Sequence, residues 1–81
     1  MATKININGT FEDCENSLNA FQSAVGGYIE AVRLNSGWIM YVNDEGRLKN
    51  LPENDFATLI AGQSICGNVV LLTTKETKRS K

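Results

Sequence analysis

A chain of 81 residues with 42% apolar and 21% charged content allows one small globular domain and excludes a polypeptide disordered throughout. Its net charge of −1 hides an asymmetry: residues 75–81 hold four of the eight basic side chains, which leaves residues 1–74 at −4, a poor platform for tracking phosphate backbones. Long nucleic acid is therefore not expected as a partner, and without an apolar run of membrane-span length or a signal-peptide layout, neither is a membrane; the setting expected is cytoplasmic.

Residues 4–7 alternate polar and apolar, and Asn8-Gly9 follows, the strongest two-residue hairpin signal because a type I′ turn needs positive φ at both positions. A hairpin here puts Ile5, Ile7 and Phe11 on an inward face. The competing pattern takes Thr10 as a cap and runs one helix from residue 11 to 25. A helix is clearer over residues 17–25, capped by Asn16 or Ser17, striped by Leu18, Phe21 and Val25, and stopped at Gly26-Gly27. Strands are predicted over 28–34 and 38–43, joined by Asn35-Ser36-Gly37. After a turn at Asp44-Glu45-Gly46, Pro52 or Asn54 opens a short helix carrying Phe56, Leu59 and Ile60 and ending near Gly62. Gly67-Asn68 turns into a last strand over 69–74. The order β-β-α-β-β-α-β predicts an α+β fold: a mixed or antiparallel sheet of about five strands with one main helix on one face, in a single domain over 1–74. Residues 75–81 are expected to form a basic tail that folding does not need.

The strands lack the alternation of a sheet with one wet face. Trp38, Met40 and Val42 fall on one side of their segment and Ile39 and Tyr41 on the other, while Val69-Val70-Leu71-Leu72 is apolar on both. One main helix covers one face, so the second is expected to meet another subunit or a ligand. A homodimer or higher oligomer follows from that expectation.

The catalytic inventory is thin. There is no histidine, nucleophile elbow, phosphate-cradling glycine loop or metal-ligand cluster. Cys14 and Cys66 read as reduced packing residues, and the pairs Glu12-Asp13 and Asp44-Glu45 read as solvated turn residues. No cofactor, metal or catalysis is expected. A binding surface is easier to assemble. Tyr28, Trp38 and Tyr41 can stack on planar groups, Arg33, Arg47 and Lys49 can reach phosphates, and Asn43, Asn50 and Asn54 can read polar edges. Against this stands the structural use of the same residue types: aromatics pack cores, asparagines shape turns, and basic side chains are solvated.

Val25-Gly26-Gly27-Tyr28-Ile29-Glu30, preceded by Ser17-Leu18-Asn19-Ala20-Phe21-Gln22, resembles a small domain family of unknown function carried mostly by bacteriophages and mobile elements. Asn43-Asp44-Glu45-Gly46-Arg47-Leu48 with Leu51-Pro52-Glu53-Asn54, and Ile65-Cys66-Gly67-Asn68-Val69-Val70, resemble its second and closing signatures, so the likeness covers residues 16–72. It implies a compact α+β fold, a phage origin and no established activity. Gly26, Gly46 and Gly67 at matched positions suit turns of unusual φ. Glu30, a charge inside an apolar strand, needs solvent, a pocket, or a partner such as Arg47 or Lys49. By analogy with the small oligomeric proteins that phages use against host immunity, the expected function is sequestration of a nucleotide-type signal without turnover. A protein-binding inhibitor of a host enzyme is the alternative, and a nucleotide hydrolase stands last for want of activating groups.

Overall fold

The structure, a computed structural model, describes residues 2–34, 36–46 and 48–73. Five strands and two helices follow one another as β1 (Ala2–Ile5), β2 (Phe11–Cys14), α1 (Leu18–Val25), β3 (Ile29–Arg33), β4 (Ile39–Asn43), α2 (Asp55–Ala61) and β5 (Val69–Leu72). The strands form one sheet in the order β2-β1-β5-β4-β3, antiparallel throughout. The expected element order and α+β class hold. The basic tail and the end of the last predicted strand lie outside the described residues.

Each helix is bounded by the residues its ends require. The Ser17 hydroxyl accepts from the Ala20 amide at 3.2 Å at the start of α1, and Gly26 ends it at φ 82°. Asn54, not Pro52, caps α2, its Oδ1 accepting from the Ala57 amide at 3.1 Å. The first hairpin forms, but not through a two-residue turn. Its loop is longer, closed by Asn6 donating to the Thr10 carbonyl at 2.9 Å, and only Gly9 takes a positive φ. Asn8 spends its side chain instead, accepting from both the amide and the hydroxyl of Thr10. Ile7, in the loop beyond β1, and Phe11, at the start of β2, both expected inward, are exposed; of the three, Ile5 alone is buried.

Both faces of the sheet are apolar, as the pattern indicates, yet this chain covers both. On one side α1 brings Phe21, with Ala20 and Ala24 packed around it, against Ala2, Cys14, Val70 and Leu72. On the other, Ala57, Ile60 and Ala61 of α2 and Ile65 after it meet Ile5, Met40, Val42, Val69 and Leu71. The expectation of a bare second face is corrected here. Of Phe56, Leu59 and Ile60, expected to mark the apolar side of α2, Ile60 packs against this core, and Ala57, fully buried, and Ala61 supply the rest of the contact. Phe56 and Leu59 are mostly outside, at 47% and 78% exposure. Asn54 locks this cover down. Its Nδ2 donates to the carbonyls of Ile5 and Gly67, each at 3.0 Å, and the residue is 1% exposed.

Candidate functional site

Two concavities lie beside the β3–β4 hairpin. The larger is a groove of about 500 Å³, bounded by residues 30–33 of β3, by Val42 and Asn43 of β4 with Asp44, Gly46 and Leu48 after it, and by the loop 63–66. Glu30 pairs across the ladder with Val42, on the face that α2 covers, and it lines this groove. Of its two expected partners, Lys49 lies 3.6 Å from Glu45, four residues back in the chain, and Arg47 falls outside the described residues. Asp44 adds a second carboxylate and Arg33 a guanidinium to the walls, with Ser64 and Gln63 opposite.

The smaller concavity, about 310 Å³, lies where α1 ends and β3 begins, lined by Gln22, Gly27, Tyr28, Asn43, Glu45 and Lys49. Both volumes are in the range of small-molecule pockets, so chemistry decides between them. Tyr28 is 74% exposed and offers a ring to stack on. A Cβ placed on Gly27 would come within 4.0 Å of the Lys49 ammonium and 3.2 Å of the Asn43 amide, so the absent side chain keeps this hollow open. The helix end that borders it is already capped. The amides of Gly26 and Gly27 both donate to the Gln22 carbonyl, at 2.9 and 3.1 Å, which blunts the partial negative charge of the α1 terminus.

The structure gathers some of the residues expected to bind and disperses others. Tyr28, Asn43 and Lys49 share the small hollow, while Arg33 stands on the groove. Trp38 packs against the α2-side core, and Tyr41 stacks on Phe21 under α1, with ring centroids 4.8 Å apart and planes 23° from parallel. These two rings are packing, not platform. Asn43 and Asn54 are also committed to the fold. Asn43 Nδ2 donates to the Val25 carbonyl at 3.0 Å, and its Oδ1 accepts from the Glu45 amide at 2.8 Å, tying the end of α1 to the turn after β4. Asn50 takes a left-handed φ of 55° and shapes a turn. Arg47 lies outside the described residues. Gln22 and Gly27 do line the hollow but look like helix interior and helix stop in the sequence. Gln63, Ser64 and Cys66 join the groove only because the Glu53–Cys66 bridge folds their loop back, a pairing without a local signal.

Gly46 corrects another expectation. Its φ is not positive; its need is space, since a Cβ there would lie 3.1 Å from the Cys66 carbonyl oxygen. Among the described residues no group of three or more His, Cys, Asp or Glu side chains is placed to hold a metal ion. Among them, too, no helix is long and apolar enough to cross a membrane. Cys14 is buried, and that desolvation pushes its thiol above the usual cysteine range, with Lys4 opposing and Glu15 adding to the shift. Iodoacetamide at neutral pH should therefore label half-buried Cys66 well before Cys14, as peptide mapping would show; equal rates would contradict the burial of Cys14.

Compared with known proteins, residues 3–81 match the family model described as Domain of unknown function (DUF3846). No curated protein and no solved structure matches the chain.

Proposed function

We propose that this chain, which belongs to the DUF3846 family of domains of unknown function, is a non-catalytic binding protein that holds a nucleotide-type ligand in the hollow beside Tyr28. In the phage setting that its sequence resembles, such binding sequesters a nucleotide immune signal of the infected host without altering it. One observation carries the reading: an exposed tyrosine ring and a lysine ammonium wall the same hollow. A base stacks on Tyr28, and its exocyclic groups meet the Gln22 amide and the Glu45 carboxylate. The phosphate turns to Lys49. The Lys49–Glu45 pair is about half exposed on both sides, so exchanging it for a phosphate contact costs little. The absence of histidine from the sequence and the burial of the Cys14 thiol support binding without turnover.

Mass spectrometry of small molecules released from denatured protein should recover an unchanged nucleotide, and calorimetry should detect cyclic di- or oligonucleotides. Tyr28→Ala is expected to cost about 1–3 kcal/mol of stacking, near thirtyfold in affinity at mid-range. Lys49→Ala should also weaken binding, Arg33→Ala should not, and all three should keep the wild-type melting temperature. No released nucleotide and no heat with any of these ligands would end this reading. The inhibitor of a host protein then replaces it, and a specific feature favours that alternative: Phe11 and Phe56 meet edge to face at 5.2 Å, both rings remain about half exposed, and Leu59 is exposed on the same helix.

A further inference from the structure

Strand β3 closes one edge of the sheet, and its hydrogen bonds reveal which of its peptide groups look outward. Leu34 donates to the Trp38 carbonyl at 2.9 Å, and Asp44 donates to the Tyr28 carbonyl at 2.9 Å. Both bonds fall on the register that sets Ile29 against Asn43 and Arg33 against Ile39. The even-numbered residues of β3 therefore turn their peptide groups to β4, and Ile29, Ala31 and Arg33 turn theirs to the open edge. The groove agrees with this. Four consecutive residues, 30–33, line it, although neighbouring side chains in a strand point to opposite faces, so it follows the edge of the strand as well as one face.

We propose that this edge binds β3 of a second copy of the chain, antiparallel about a two-fold axis through Ala31, joining two five-stranded sheets into one. The strand is complementary to itself in that register. Ala31 meets Ala31 of the partner subunit, and Ile29 meets Arg33 of the partner subunit, so every outward peptide group finds a partner through about six backbone bonds. The side chain at the axis, where a residue must face its own copy, is the smallest in the strand and is exposed. Glu30 and Arg33 fall opposite Val32 and Ile29 of the partner subunit, so no like charges stand directly across. Leu48, at 85% exposure, lines the groove along the same edge and gains cover.

The far edge of the sheet is a poorer candidate. Asn6 donates to the Thr10 carbonyl, which leaves only Phe11 and Asp13 of β2 facing outward, and self-pairing there would bring the Glu12-Asp13 carboxylates of two copies together. On β3 neither Lys nor Pro guards the edge.

Sedimentation of the full chain at micromolar concentration should show a dimer. Ala31→Lys places two ammonium groups across the axis, and Ala31→Pro removes an amide that makes no bond to β4, so both should sediment as monomers. Ala31→Lys should keep the wild-type far-ultraviolet spectrum, because the residue is exposed. Wild-type protein that stays monomeric up to submillimolar concentration would overturn the proposal. So would a dimer that folded Ala31→Lys and Ala31→Pro variants leave unchanged, which would place the contact on another surface.

Discussion

Met40→Glu is expected to unfold the chain itself rather than split an assembly. Met40 is fully buried at the centre of the α2-side core, between Val32 on β3 and Leu71 on β5, with Ala57 of α2 in the same cluster. The described residues clustered around that position are apolar, and burying a carboxylate among them unpaired costs about 4–5 kcal/mol or more. A domain of this size has only about 5–15 kcal/mol of stability to lose. Urea titration at neutral pH should show the midpoint collapse toward zero. Trp38→Glu is milder, because Trp38 is only partly buried against the same cluster. A folded, monomeric Met40→Glu variant would mean that α2 does not cover this face.

Asn54→Leu should be almost as damaging, though it replaces a polar side chain by an apolar one of similar size. It deprives the Ile5 and Gly67 carbonyls of their donor and the Ala57 amide of its acceptor, and all of these groups are inside. Each stranded carbonyl costs about 1–3 kcal/mol, partly relieved by relaxation and entering water, and the lost cap at Ala57 about 1 more, which suggests a loss near 4 kcal/mol. Asn54→Asp separates the components. It keeps the cap acceptor but removes both donors, so a loss as small as a few tenths of a kcal/mol would show that the bonds to Ile5 and Gly67 contribute nothing.

How far the sequence shows this fold follows from the range of the interactions involved. The caps at Ser17 and Asn54 and the stops at Gly26 and Gly62 are decided within one helical turn, and they are plain in the residue order. The two-sided apolar character of the strand over residues 38–42 is equally local: Trp38, Met40 and Val42 do face one core and Tyr41 the other. What covers the second face is not local. Ala57 and Ala61 are unremarkable in a helical stripe, and their value appears only once Asn54 draws α2 onto β1 and the turn at Gly67. The candidate site has the same limit. Tyr28 and Lys49 come together because the Asn43 amide binds the end of α1, a contact 18 positions away in sequence. The aromatic and amide side chains that looked free to recognise a ligand had internal work of this sort to do, and composition cannot tell the two uses of an asparagine apart.

The place of β5 has a consequence for how the chain reaches this state. In the sheet, the hairpin of β1 with β2 and the hairpin of β3 with β4 do not pair with each other; β5 lies between them and pairs with both. All four of its residues are buried, and it comes last in chain order among the described strands. Until it arrives, the growing polypeptide consists of two separate hairpins, each with an unpaired inner edge and apolar side chains in water. Loop closure over a long stretch of chain precedes the final pairing, which favours slow folding and a window of aggregation before it. A chain that ends before Val69 remains in that window, whereas a synthetic peptide carrying residues 66–73, supplied in trans, should bring the two hairpins into one sheet.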